Sequence, residues 1–381
     1  MHREGRLLEV LPPVDWDRAG GETWAEVISK VRETGVRTLV SPLFKKGEKA
    51  SKVLDKRIFQ PIRQPSWWSG DSVYHAPAYA EPVSRLETEL KSGKFVITSE
   101  VAPPLGAAND KLAEKINLIS PYVTAINFTD GSSAIPRMSS AACSNLAATI
   151  GAEPVMQISG RDNNRFTVQS LAIGANTLGV NNILCLTGDS PRVGHPPRGN
   201  MNINDVDSVQ MLWILRRMRD EGIYLDGREI KHRPKLFLGA AASPFIQYPA
   251  LQVIRDRKKI NAGAQFFQTN LVFDPDSLDP WLEQLDKEGL LNSVFILIGV
   301  CPLKTLHLTR YLHENIPGVT IPEMVMKRME NAGDKAQEEG IHIAAEIIRK
   351  LRKKQGINGV HIMPIGWESA VPILIKEAMT E

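Results

Sequence analysis

The chain is 381 residues long, about two and a half times the usual domain length, so one large barrel with an appendage fits as well as two ordinary domains. With 43% hydrophobic and 23% charged residues it is not a disordered chain, and 46 Lys and Arg against 43 Asp and Glu leave only +3, too weak a field to demand a nucleic acid or an anionic membrane. Cys143, Cys185 and Cys301 lack any CxxC or Cys/His metal spacing and read as buried reduced thiols, so no metal site is expected.

Residues 1–93 read as an extension or small subdomain of unknown role. A helix is plausible near Thr23–Thr34 and a strand at Arg37–Val40, followed by a basic stretch, Lys45–Lys56, and a segment rich in Pro, Ser and aromatics up to Ala80. From Lys94 onward, short β-rich runs alternate with stretches of helical period, the signature of βα units around a parallel sheet. The expected strands are Phe95–Val101, Val123–Thr129, Pro154–Ser159, Asn182–Thr187, Lys235–Ala241, Ala264–Val272, Ser293–Val300 and Gly359–Ile365. Helices are expected at 109–119, 138–150, 164–178, 205–221, 248–261, 278–289, somewhere within 304–356, and at 368–379. Eight such units over 94–381 suit an α/β fold of the (β/α)8 TIM-barrel type, typically ~250 residues, with some insertion. An open doubly wound sheet would want a glycine-rich turn after its first strand; here that strand ends Ser99-Glu100-Val101-Ala102-Pro103-Pro104. The most apolar window, Ser293–Pro302, falls well short of the roughly 20 residues that span a bilayer, so no membrane span and a cytoplasmic location are expected.

In a parallel barrel the chemistry gathers at the carboxyl ends of the strands. Those ends carry Glu100, then Thr129-Asp130-Gly131, Gln157 to Asp162, Thr187-Gly188-Asp189, Gln268-Thr269-Asn270 and Cys301-Pro302. Glu100 is the first candidate for acid/base work, because the apolar residues and prolines around it disfavour a charge; a rim carboxylate paired with a Lys or Arg is the equal alternative. Asp130 and Asp162 look more like caps. The loop Gly188–Asn200 is long for a βα connection, and its His195 reads as a hydrogen-bonding surface group rather than a base. Basic residues at 255–259 suit the end of a helix through its dipole, and would suit a diphosphate if their side chains reached the top of the barrel.

Taken in order, these strand ends resemble the methylenetetrahydrofolate reductase family, a flavin-containing (β/α)8 barrel, over residues 94–381. The motifs are Ser99-Glu100-Val101-Ala102-Pro103-Pro104, Thr129-Asp130-Gly131, Leu186-Thr187-Gly188-Asp189 and the run from Lys258-Lys259-Ile260-Asn261-Ala262-Gly263-Ala264 to Thr269. The resemblance implies hydride transfer through non-covalent FAD, interconverting 5,10-methylenetetrahydrofolate and 5-methyltetrahydrofolate. It makes Glu100 the general acid and places Asp189 near both flavin and folate. Thr129, Asp130, Gln157, Thr187, Gly188, Asp189, Lys258 and Lys259 would hold the cofactor, and Glu100, Asp189, Asn270 and Leu308 the folate substrate.

The chain departs from the common bacterial form at Thr187, Asn270, Leu308 and Leu312, the last standing where a nicotinamide-stacking Phe is expected. The loop Gly188–Asn200 and the ending His361–Glu368 look more like the branch of acetogens and other one-carbon specialists. These departures imply weak direct use of NAD(P)H and an electron-transfer partner protein docking through residues 1–93; a homo-oligomer is also expected. Two other classes fit the same barrel: a pterin-dependent methyltransferase without flavin, and a folate- or flavin-binding subunit that mainly docks an electron-transfer partner.

Overall fold

The computed structural model describes residues 67–107, 109–132, 135–188, 205–245, 249–316 and 318–380. The chain divides into two compact units, Met1–Ser69 and Gly70–Glu381. The elements expected at Thr23–Thr34 and Arg37–Val40 lie outside the described residues.

In the second unit eight strands, all parallel, close into a barrel in chain order. They are β1 Val96–Val101, β2 Ala125–Phe128, β3 Pro154–Ser159, β4 Asn182–Leu186, β5 Phe237–Ala242, β6 Phe266–Leu271, β7 Phe295–Val300 and β8 Gly359–Ile362. The helices are α1 Arg85–Lys91, α2 Asn109–Ile119, α3 Ser140–Thr149, α4 Arg165–Thr177, α5 Ser208–Asp220, α6 Pro249–Ala262, α7 Asp279–Lys287, α8 Leu306–Asn315, α9 Glu323–Ala332, α10 Ala336–Leu351 and α11 Ala370–Met379. The fold is thus a TIM barrel. Strands flanked by helices on one side and the barrel interior on the other are buried on both faces, which is why runs such as Ile296-Leu297-Ile298 show no polar alternation. The long stretch from 304 to 356 breaks into three helices because Pro322 stands at the start of α9 and Gly333, at φ 51°, ends it.

The base of the barrel is dry. Val96, Ala125, Val155, Leu184, Phe237, Phe266 and Leu297, near the starts of seven strands, pack with Leu86 and Leu90 of α1. Phe237 and Phe266 stack with ring centroids 4.9 Å apart. Gly239 makes room for them, since a β-carbon there would come within 2.3 Å of the Phe266 ring. Helix α1 is fastened by Ser84, whose hydroxyl accepts the Glu87 N–H at 3.1 Å, and by the fully buried Glu87, which accepts from the Val83 N–H at 2.9 Å and pairs with Lys91 at 2.9 Å. Residues 70–93, expected with the amino-terminal extension, therefore belong to the barrel's compact unit. With seven residues, α1 is too short to announce itself by period, but its apolar face is the barrel floor.

Above that floor the filling changes from apolar to polar. Thr98 of β1, Asn127 of β2, Gln268 of β6 and His361 of β8 are all nearly fully buried and hydrogen-bond to one another. An unpaired polar group at such depth costs about 1–3 kcal/mol, so this layer is tolerable only because its members satisfy each other.

Candidate active site

Three strands bring reactive groups together at the mouth. Glu100, second from the end of β1, keeps 22% of its side chain exposed, and its Oε2 lies 3.6 Å from Nε2 of His361 on β8. Cys301, just past β7, has its thiol pKa pushed up by burial and further by the charge of Glu100, so it stays protonated and is a poor nucleophile. Cys143 and Cys185 are likewise buried and free, each pushed up to about 12 by burial.

His361 stands on the polar layer. Its Nδ1 is 2.9 Å from Thr98 Oγ1 and 3.4 Å from Gln268 Nε2. Gln268 and Asn127 form a reciprocal amide pair, Asn127 Nδ2 donating at 2.6 Å and Gln268 Nε2 donating back at 3.1 Å. Gln268 Nε2 also donates to Thr98 Oγ1 at 3.2 Å.

The ends of β2, β3 and β4 form one wall. Thr129 is buried and donates to Ser132 Oγ at 3.4 Å. Asp130 accepts from the Ser159 N–H at 2.9 Å and from Asn163 Nδ2 at 3.3 Å, tying β2 to β3; burial pushes its carboxyl up, against the pull of the Ser159 N–H. It does the work of a cap across strands rather than on a helix, and Asp162 is engaged by Arg161, whose guanidinium also donates to the Gly131 carbonyl at 2.8 Å. Gly188, at φ 94°, lies so close to β3 that a β-carbon would stand 2.3 Å from Ser159 Oγ, and no other residue fits there. Thr187 shares a hydrogen bond with Ser208 Oγ at 3.1 Å, joining β4 to the start of α5. That start carries a capping box: Asp207 accepts the Gln210 N–H at 2.8 Å, and Gln210 Oε1 accepts the Asp207 N–H at 3.0 Å.

Lys258 and Lys259 lie late in α6, yet Lys259 Nζ reaches back to the Ala241 carbonyl of β5 at 2.5 Å. Burial lowers the Lys259 pKa, opposed by Asp256 and Asp207. The Asp207 carboxyl is pushed up by burial and held down by its caps and by both lysines. The ends of β4 and β5 and the start of α5 thus share one corner, where two lysines face the Asp207 and Asp256 carboxyls and could turn to a phosphate. On the wall beside it, the Ser159 hydroxyl is buried without a partner, and the buried Gln157 amide makes no hydrogen bond among the described residues. Unspent polar groups next to buried cations fit a bound polar, anionic cofactor.

The remaining expected residues are not joined to this cluster among the described residues. Asp189, His195 and the loop onward to Asn200 are outside the described residues. Asn270 lies within a register shift between Gln268 and Leu271, and its Nδ2 lies 3.5 Å from where a β-carbon on Gly318 would stand. Leu308 is half-buried in the first turn of α8, its N–H capped by Thr305, and Leu312 is buried at 3% exposure, so it presents no stacking surface. No hydrogen bond joins Asn270 or Leu308 to Glu100 among the described residues. Sequence reasoning missed His361, Thr98 and Asn127 as site residues. The available signal was alternation: Thr98 and Glu100, and His361 and Met363, are two apart on adjoining strands, with Thr98 paired to His361. Among the described residues no group of three or more His, Cys, Asp or Glu could hold a metal, and no helix is long and apolar enough to cross a membrane.

The family model for methylenetetrahydrofolate reductase matches residues 85–379. Methylenetetrahydrofolate reductase 2 of Saccharomyces cerevisiae (strain ATCC 204508 / S288c) is 22% identical over 280 residues, covering 71% of this chain and 44% of the yeast protein, so the chain spans less than half the length of that relative. Among solved structures, an uncharacterized protein from Clostridium thermocellum that binds two copies of 5-methyl-5,6,7,8-tetrahydrofolic acid is similar with a TM-score of 0.54 at 16% identity, over 77% of this chain and 98% of that one.

Proposed function

Because the chain belongs to the methylenetetrahydrofolate reductase family, we propose that its barrel interconverts 5,10-methylenetetrahydrofolate and 5-methyltetrahydrofolate with non-covalent FAD, Glu100 acting as general acid. The observation that carries this reading is the placement of Glu100: a half-open carboxyl at the mouth, backed by His361, over a buried polar layer. FAD, when bound, supplies the hydride chemistry. Lys258 and Lys259 would neutralise its diphosphate from the corner where Lys259 meets Ala241, and Thr129, Asp130, Gln157, Thr187, Gly188 and Asp189 would complete the cradle. The tetrahydrofolate would lie against Glu100 and Asp189, with Asn270 and Leu308 on the rim.

The five-membered ring bridging N5 and N10 of the substrate must open before its methylene carbon becomes electrophilic. Glu100 would give a proton to N10, the C–N10 bond would break, and the 5-iminium cation left behind would be favoured by a neighbouring carboxylate, the role assigned to Asp189. Glu100→Gln keeps size and shape but has no proton to donate. Folate turnover should fall by about 10²–10⁴-fold, while FAD stays bound and dithionite still bleaches it. Near-normal turnover in Glu100→Gln would remove the residue from the mechanism; absence of flavin from the purified protein, with no spectral change on adding FAD, would remove the reductase reading.

The electron source follows from Leu312 and Gln268. Leu312 is buried, and of the two side chains that could stand in for a lost partner, Gln268 is already committed to Asn127 and Thr98, while Tyr311 is half exposed on α8. A missing stacking aromatic and a missing polar partner cost on the order of 1 kcal/mol each, together about thirtyfold in affinity. Direct bleaching by NADH or NADPH should therefore be slow and unsaturated at micromolar concentrations in stopped-flow absorbance, with an electron-carrying partner docking through residues 1–93 as the faster donor. Rapid, saturable bleaching by either nucleotide would show that no partner is needed.

A further inference from the structure

The polar layer beneath Glu100 has an internal polarity that can be read from its hydrogen bonds. As the two amides are placed, Asn127 Nδ2 donates to Gln268 Oε1 at 2.6 Å, and both Gln268 Nε2 hydrogens are left to donate. One goes back to Asn127 Oδ1 at 3.1 Å. The other is directed at Thr98 Oγ1, 3.2 Å away, with His361 Nδ1 beyond it at 3.4 Å. With its oxygen accepting from Gln268, the Thr98 hydroxyl has its own hydrogen to give, and His361 Nδ1 at 2.9 Å is a closer acceptor than the Val360 carbonyl at 3.4 Å. Every arrow in this chain runs toward Nδ1. A neutral imidazole that accepts at Nδ1 carries its hydrogen on Nε2, and Nε2 is the atom facing Glu100 Oε2.

We infer that His361 is the positioning residue for Glu100: the Asn127–Gln268–Thr98 chain fixes its Nε2–H tautomer, and that N–H engages Oε2, leaving Oε1 to carry the acid's proton toward the substrate. The inference rests on the reading of Glu100 as the acid and adds to it how the carboxyl is oriented. An acid that can hold its proton on either oxygen presents it correctly only part of the time; a donor fixed on one oxygen removes that ambiguity. The separation of 3.6 Å is longer than a hydrogen bond, and closing it by about half an ångström as ligand fills the mouth would complete the contact. The imidazole touches the acid rather than the substrate, so its effect must come through Glu100.

Two measurements test this on the full chain. Long-range 1H–15N correlation spectra of the wild-type protein, with the His361 signals assigned by their loss in His361→Gln, should show a neutral ring protonated on Nε2; a ring protonated on Nδ1 would overturn the inference whatever the kinetics. In turnover, His361→Phe keeps a flat buried ring without a donor and should lower kcat for folate at least tenfold, with KM within about twofold and dithionite bleaching of bound FAD unchanged. His361→Gln, which can offer an N–H toward Oε2, should recover part of the loss. If Glu100→Gln is inactive but His361→Phe turns over within twofold of wild type, the positioning role fails and the acid stands. If Glu100→Gln is near normal, the acid reading fails, and the tautomer remains as a separate finding.

Discussion

Asp256 shows how a single buried carboxyl registers in the stability of the whole barrel. It is fully buried, accepts from Trp281 Nε1 at 2.9 Å and Gln252 Nε2 at 2.6 Å, and burial pushes its pKa from 3.8 to about 6 despite the opposing charge of Lys259. Between those two values the folded protein holds a proton that the unfolded chain has released, so the stability contributed by this group is fully present below the ordinary value and is lost as pH rises through about 6. Asp256→Asn removes that slope and gives the unpartnered Gln252 Oε1 a donor to turn toward. At pH 7.5 the variant should be more stable by about 1–3 kcal/mol in urea denaturation, with the gap narrowing at pH 5; an equal gap at both pH values would show that Asp256 is ionised throughout. Ile365 makes a contrasting point. It is the one non-glycine with positive φ among the described residues, at 48°, three residues past the end of β8, and a β-branched residue there carries roughly 1–2 kcal/mol of strain.

At the scale of elements, Gly340 sets two tendencies against each other. It lies in the first half of α10, where alanine would favour the helix by about 1 kcal/mol. A β-carbon at that position, however, would stand 1.8 Å from the Leu303 carbonyl, a backbone atom that cannot swing aside. The clash should win: Gly340→Ala is expected to lose at least about 2 kcal/mol in urea denaturation, because α10 must lift from the segment that carries Cys301 and Pro302 past β7. A neutral or stabilising result would mean that this segment yields easily. The same example marks what could be read in advance. The eight strands and the closed barrel were legible because buried parallel strands such as Ile296-Leu297-Ile298 give continuous apolar runs at regular spacing. The seven-residue α1, the break of 304–356 into three helices and the register shift in β6 were not, since each is decided by contacts distant in the chain. Glu100 and the Lys258-Lys259 pair stand out as candidates by their position at strand and helix ends. His361, Thr98 and Asn127 do not, because a buried polar residue declares itself only when its partners on other strands are known.

For the whole molecule, the boundary at Ser69 is the feature to test. The floor of the barrel is made by α1, so a chain beginning at Gly70 retains every described contact of the base, whereas one beginning at Lys94 removes Leu86 and Leu90 and opens a cavity there. The Gly70–Glu381 chain should unfold in one cooperative step and still take up FAD, losing only partner-dependent reduction. The Lys94–Glu381 chain should be destabilised by more than the about 2–5 kcal/mol of a single Leu→Ala in a core. Equal stability of the two would mean that α1 is dispensable. The dry floor also governs traffic. A barrel packed at its base by Leu86, Leu90, Phe237 and Phe266 gives the polar layer no way out through the floor. If folate binds over Glu100 as proposed, it would stand between the polar layer and bulk water, and an acid that had given up its proton would be recharged only once the folate had left. On that reading the barrel would deliver one proton per visit, its reloading keeping time with ligand departure rather than with the chemistry inside.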